Sequence, residues 1–273
     1  MQEMTEEEFL KNYDSSKFEK LSMTSDICMI SVSDVQKKVY RKTNGKIMSV
    51  LLVKRDNHPF KDKWCLPGGF LNPINETLEE CATRILKEET NLSDVYLEQL
   101  YTFDAIKRDP RMRIISCAYV SLVDKNKFTS PINKSACWFD VTKYEDKNNV
   151  VTLELNNGKE TLTIQIQKHL KEKTTDRYSF TSLSNTLAFD HDVVILSGLE
   201  RIRNKLNYTD VVFNMMPKLF TLKELQQVYE VILGKKLLDP TFRRIIQNKV
   251  VKTEFMKTGE GHRPSVLFKY KDN

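Results

Sequence analysis

The stretch from Gly68 to Asn91 carries the residues best placed to do chemistry. Gly68 and Gly69 are adjacent, and a turn without Cβ atoms lets a backbone approach a ligand closely. Beyond them stand Glu76, Arg84, Glu88 and Glu89. Thr77 followed by Glu80 is a capping-box pattern, so a helix is predicted to open there. On such a helix, positions 85, 88 and 89 share one face. Carboxylates converging from one face suit a hard divalent cation, and that cation in turn bridges phosphate oxygens. Acidic runs are more often solvated helix faces, so the two glutamates do not decide the matter alone.

The whole string from Trp64-Cys65-Leu66-Pro67-Gly68-Gly69-Phe70 through Leu92 does more, because it resembles a Nudix box with nearly fixed spacing. In that family a glycine, a spaced glutamate, and an arginine followed by three glutamates hold Mg²⁺ or Mn²⁺ against a diphosphate. Glu76, Arg84, Glu88 and Glu89 occupy matching positions and are the catalytic residues the resemblance implies, with Glu88 and Glu89 as the Mg²⁺ ligands. Gly68, Gly69 and Phe70 would meet the ligand. Three positions depart. Ile85 stands where the box has a glutamate, six residues separate Gly69 from Glu76 where the box has five, and Asn91 replaces the closing glycine. The last change is mild, because Asn tolerates the left-handed conformation of a helix end. Ile85 removes a ligand from the metal face and is expected to sit as an apolar side chain against the cation.

Size and composition bound the setting. A chain of 273 residues, 40% hydrophobic and 29% charged, is long enough for two globular domains. No run reaches the apolar length a bilayer requires, and Met1 to Glu8 is acidic where a secretion signal is basic and then apolar. A cytoplasmic protein without membrane partners is expected. Five cysteines with no C-x-x-C spacing read as buried thiols in a reducing compartment. The net charge of +6 is uneven: residues 200 to 273 hold 15 basic against 8 acidic residues, which leaves the remainder close to neutral.

The elements that must position the box read as an α+β fold. The polar N-terminal piece, Asn12 to Glu19, is expected to pack as an irregular lead-in. Ser25 to Val32 and Ile47 to Arg55 are β-rich runs around the turn signal Thr43-Asn44-Gly45. Tyr96 to Phe103, Arg113 to Leu122 and Ala136 to Val141 are further strands. Residues 150 to 167 alternate around Asn156-Asn157-Gly158 as a hairpin of the same sheet. Arg108-Asp109-Pro110-Arg111 forms a turn with two exposed cations, Arg108 and Arg111, that could grip ligand phosphate. Residues 168 to 186 read as a polar loop or lid. A helix then runs through Ile195, Leu199, Ile202 and Leu206, opened by Asp190 as its cap. His191 beside it is weighed as a hydrolytic residue and given the lesser weight.

The basic tail reads as helix, turn, helix and hairpin. Thr221 to Glu224 is another capping box, Gly234 ends that helix, and Asp239-Pro240 caps and opens the next one. Phe242, Ile245 and Ile246 can face inward while Thr241, Arg243, Arg244 and Gln247 face outward, a surface suited to a major groove. Lys257, His262 and Arg263 would lie on a turn-rich wing, between strands at 250 to 254 and 265 to 270, beside phosphates.

Together with Val53-Lys54-Arg55, Leu187 to His191 and Gly261-His262-Arg263-Pro264, these features make the chain similar to the Nudix-related transcriptional regulators. That resemblance implies a Nudix α/β/α sandwich with mixed sheet at 1–186, a linking helix at 187–207 and a winged helix at 208–273. It implies binding of ADP-ribose or a related phosphorylated metabolite, binding of double-stranded DNA, and a homodimer. The alternative is a Mg²⁺-dependent Nudix hydrolase, an ADP-ribose pyrophosphatase, in which Arg84 orients Glu76 and water attacks phosphorus.

Overall fold

Strand β1 (Ser22–Asp34) is the axis of the molecule, buried on both faces from Thr24 to Val32. Successive side chains of a strand point to opposite sides, so Ile27 and Met29 enter one core while Cys28, Ile30 and Val32 enter another. The computed structural model describes residues 5–35, 45–91, 95–124, 135–170, 178–259 and 262–271. Around β1 lie β2 (Lys46–Lys54), β3 (Trp64–Cys65), β4 (Gly68–Phe70), β5 (Tyr96–Phe103), β6 (Ile114–Leu122), β7 (Ala136–Glu145), β8 (Val150–Asn156), β9 (Thr161–Leu170) and β10 (Tyr178–Ser182). Their order is β10-β9-β8-β7-β2-β1-β6-β5, with β3 beside β2 and β4 beside β1. Only the β1–β6 pairing among these is parallel, so the sheet is mixed as expected.

Two helices cover the two faces. Helix α2 (Leu78–Thr90) opens on the full capping box of Thr77 and Glu80 and closes on Asn91 in the left-handed region, the role a glycine would otherwise take. It buries Cys81, Ala82, Ile85 and Leu86 against Ile27, Met29 and Leu51. Helix α3 (His191–Lys205) covers the other face with Val194, Ile195, Leu199 and Ile202. The residues expected to link the two halves are therefore also the second layer of the sandwich. The same core continues into the C-terminal unit through Val212, Leu225, Tyr229 and Phe242.

That unit contains a 3₁₀ turn (Val211–Met215), α4 (Leu222–Leu233), α5 (Asp239–Ile246) and the antiparallel hairpin β11 (Val250–Gly259) and β12 (His262–Tyr270). It is a winged helix. Thr221 and Glu224 form their capping box, and Gly234 ends α4 in the left-handed region. No described helix is long and apolar enough to cross a membrane.

Several local expectations are corrected. The lead-in does not pack: α1 (Glu6–Asn12) and the turn at Ser15–Lys17 bury no residue. Part of the expected lid is strand, because β9 runs on to Leu170 and β10 pairs with it; residues 171 to 177 lie outside the described residues, as do Thr43 and Asn44 of the first turn signal. Asp190 makes no capping bond. The carboxylate of Asp192 folds back to accept the amide of Leu187 at 3.0 Å and the Ser182 hydroxyl at 2.7 Å. Leu238, not Asp239, is the cap residue of α5, and Asp239 Oδ1 accepts from Gln226 instead. The wing strands run farther than read, so Lys257 belongs to β11 and His262 and Arg263 to β12.

Gly198 shows how closely α3 approaches the sheet. A Cβ there would lie 2.8 Å from Cys28 Sγ, closer than real atoms come. Overpacking costs about 1–3 kcal/mol, against the ~1 kcal/mol that alanine gains over glycine inside a helix. Gly198→Ala is therefore expected to destabilise the protein by about 1 kcal/mol in urea unfolding. Adding Cys28→Ala should recover part of that loss, so that the double substitution costs less than the sum of the two.

Candidate ligand site and nucleic-acid interface

The box residues fold into a clamp. Arg84 Nε donates to Glu76 Oε1 at 2.7 Å and Nη2 to Oε2 at 3.1 Å, while Nη2 also reaches the Phe70 carbonyl at 3.1 Å. The Asn72 amide adds a bond to Glu76 at 2.9 Å. Arg84 first, and then that amide, hold the Glu76 carboxyl at about 2. This pins the loop between β4 and α2, including its extra residue.

Ile85 does not face a cation. It is 2% exposed, inside the core of Ile27 and Met29, and its Cδ1 would sit 3.4 Å from a Cβ at Gly69. The isoleucine packs beneath the glycine turn, and the expectation of an apolar group against metal is corrected. Glu88 is exposed and 3.5 Å from Arg84. Glu89 is half-buried. Among the described residues no three Asp, Glu, His or Cys side chains converge as a metal ion requires. A catalytic cation needs several oxygens meeting at one point, and with Ile85 inward and Glu76 held by Arg84 these residues do not fit one.

The cleft lies on the other face of the sheet. It encloses about 200 Å³ between β1, β4, the turn at Arg108 to Arg111 and the start of α3. Gly68, Gly69, Phe70, Arg108 and Arg111 all line it; Glu76, Arg84, Glu88 and Glu89 do not. Its rim carries two guanidiniums on aromatic faces. Arg55 lies 4.9 Å above the Phe189 ring, and Arg111 lies 5.2 Å from Phe70 and 5.9 Å from Phe189. Asp109 braces Arg111 through bonds of 3.0 and 2.8 Å. Phe189 has φ +56°, a conformation uncommon for a bulky residue and one that clusters at ligand clamps.

Arg108 is not the exposed cation that the turn suggested. Its side chain is 3% exposed and bridges Asp190, at 3.0 and 2.8 Å, to Asp26 at 3.2 Å. Ser116 Oγ donates to the same Asp26 oxygen at 2.5 Å. Burial alone would push the Asp26 carboxyl up, but the His191 Nε2–H, Arg108 and the Ser116 hydroxyl outweigh it and hold it below the ordinary carboxylate range. Gly68 is obligatory here, since a Cβ would fall 2.1 Å from Asp26 Oδ1. His191 Nδ1 accepts the Leu66 amide at 2.9 Å, which leaves the ring proton on Nε2, 3.6 Å from Asp26. Burial opposes a charge on this ring and Asp26 favours one, but a second proton would displace the Leu66 bond. The neutral ring ties α3 to β1 and the strand before Gly68, a positioning role in place of the hydrolytic one.

Reading by motif gives no site role to Arg55 and Phe189, though both stand in stretches that carry the resemblance, and misses Thr24 and Asp26. Asp26 had a signal: a lone carboxylate within an apolar strand must find a partner when buried. Phe189 had only its place in the Leu187 to His191 stretch, because its position over the cleft depends on a backbone conformation.

In the winged helix, Phe242 and Ile246 are buried, Phe242 edge-on to Tyr229 at 5.6 Å. Thr241, Arg243 and Arg244 are exposed on one short helix, Gln247 is exposed at its C-terminal cap, and Ile245 is half-buried. Lys257 is exposed on the wing, with its ammonium on Glu224. The side chains of His262 and Arg263 lie outside the described residues.

The Asp26 cluster makes a pH prediction. Its folded carboxyl sits below the ordinary 3.8, so it contributes stability above about pH 4 that is lost as the pH falls through its folded value. Asp26→Asn should start less stable at neutral pH and lose less between pH 5 and 2.5. Urea midpoints across that range measure it.

Comparison with known proteins agrees with both halves. Residues 39–155 match the NUDIX domain family, and residues 212–270 match the NrtR DNA-binding winged helix domain. Over 268 residues the chain is 31% identical to an ADPR responsive transcriptional repressor, NtrR, of Acinetobacter baylyi, covering 97% of this chain and 88% of that protein. It is similar in structure to a MutT/nudix family protein from Enterococcus faecalis, with a TM-score of 0.69 and 27% identity over 98% of this chain and 94% of the other. NrtR of Shewanella oneidensis, solved with a 27mer DNA, superposes with a TM-score of 0.61 at 27% identity over 91% and 93%. A Nudix sandwich joined through α3 to a winged helix of this type, matched along nearly its whole length, places the chain in the family of Nudix-related transcriptional regulators.

Proposed function

We propose that this protein is a metabolite-responsive, DNA-binding transcriptional regulator. Its cleft takes ADP-ribose or a related phosphorylated sugar, and its winged helix binds duplex DNA through Thr241, Arg243, Arg244 and Gln247, with Lys257, His262 and Arg263 beside the phosphates. The protein acts in the cytoplasm as a homodimer, because paired half-sites call for paired readers.

The observation that carries this reading is the separation of the two faces of the sheet. Arg55 and Arg111, stacked on Phe189 and Phe70, offer cations to a diphosphate and flat faces to a base. The box carboxylates are not among the residues lining that cleft, and the position that should complete a metal site is an isoleucine in the core. A Mg²⁺ contact limited to Glu88 and Glu89 would be weak. Holding a ligand intact suits a sensor, and the effect on DNA requires that the ligand favour one arrangement of the winged helices over another.

Two measurements test it. With a duplex recovered from genomic fragments that co-purify with the protein, affinity should fall steeply as salt rises. Arg243→Ala should weaken it by about tenfold or more with the fold intact, and ADP-ribose should shift the wild-type binding curve. No binding at low salt, or none of that response, removes the regulator reading. In an assay that follows the AMP and ribose 5-phosphate formed from ADP-ribose with Mg²⁺, turnover should stay well below about 1 per second. Turnover at or above that rate favours the pyrophosphatase.

A further inference from the structure

The polar groups lining the inner cleft are matched almost throughout. Asp26 is held by Arg108 and Ser116, Asp109 by Arg111, and His191 by the Leu66 amide. Thr24 differs. It is 9% exposed, and its Oγ1 is buried without a hydrogen-bond partner among the described residues. Thr24 and Asp26 are two apart on β1 and so share the face that lines the cleft. Its neighbours on the sheet give no relief: it lies in register with Phe70 on β4 and Ser116 on β6, and the Ser116 hydroxyl gives its proton to Asp26 and makes no bond to Thr24. An unmatched buried hydroxyl destabilises the fold. A valine would have the same shape without that cost.

Charge is graded along the cleft in a way that says what Thr24 could meet. Arg111 at the rim has a side chain 40% exposed, whereas Asp26 and Asp109 deeper in are 6% and 7% exposed. Phosphate oxygens are drawn to the accessible guanidiniums of the rim, whereas the inner cation, Arg108, is buried and already held between Asp26 and Asp190. Hydroxyl groups are donors as well as acceptors and are welcome beside carboxylates. A nucleoside diphosphate sugar fits this gradient with its phosphates at Arg55 and Arg111 and its terminal sugar inward.

Resting on the reading of the cleft given above, we propose that Thr24 recognises the terminal sugar, its hydroxyl completing a hydrogen bond with a ring hydroxyl of that sugar. Thr24 is then the residue by which the protein distinguishes ADP-ribose from nucleotides ending at the diphosphate.

Calorimetric titration with ADP-ribose and with ADP β-methyl ester, which keeps the charge of the diphosphate but lacks the sugar, tests this. Wild type should bind ADP-ribose more tightly. Thr24→Val should lose about tenfold in affinity for ADP-ribose and leave the methyl ester unchanged, while Thr24→Ser restores the preference. Thr24→Val binding ADP-ribose as wild type does, or losing both ligands in proportion, overturns the assignment. The wild-type comparison needs no variant: equal affinity for the two ligands also overturns it. Wild type binding neither ligand removes the reading of the cleft itself, a result distinct from the loss of selectivity.

Discussion

A buried guanidinium holds the cleft together. Arg108 joins Asp26 on β1 to Asp190 at the entry of α3, residues 164 positions apart in the chain. Charges removed from water are expensive unless paired and hydrogen-bonded, and deleting one partner of such a pair costs about 3–5 kcal/mol. The constraint works in both directions. It pulls the start of α3 against the sheet, and it forbids any side chain at Gly68, where the Asp26 carboxylate touches the turn. The glycine pair that looks like a phosphate cradle in the sequence is, at its first position, the seat of a buried carboxylate.

Ile85 marks the other side of the same turn. A glutamate there would have to leave the core of Ile27, Met29 and Leu51 to meet a cation, whereas the isoleucine closes that core. The residue that removes a metal ligand also adds apolar burial, worth about 1.5–3 kcal/mol for a side chain of this size. The clamp of Arg84 on Glu76 survives and shapes the loop. The box carboxylates lie on one face of the sheet and the cleft on the other.

Helix α3 connects that cleft to the C-terminal unit. Its first residue, His191, lines the cleft, and its later turns share a core with α4 and α5. α4 rests on α3 and on β2. A packed interior transmits displacement because it has little slack, and Gly198 brings α3 so near Cys28 that the helix cannot slide freely over the sheet. The exposed helix α5, with its two arginines, is anchored to that interior by Phe242 and Ile246.

The sequence by itself determined the elements and their local chemistry. Capping boxes at Thr77 and Thr221, the apolar stripes of α2, α3 and α4, the alternating strands and the outward face of α5 follow from spacing alone, because hydrogen-bond geometry and side-chain period are local properties. The Nudix box and the winged helix were legible for that reason. Tertiary structure alone decided which way Ile85 points, that Arg108 is a buried bridge and not a surface cation, that Asp190 pairs with it and leaves the amides to Asp192, and that Arg55 and Phe189 meet Arg111 at one rim. Each depends on contacts between residues far apart in the chain. Charge and polarity have no fixed meaning until burial is known, and burial is set by the packing of the two layers on β1.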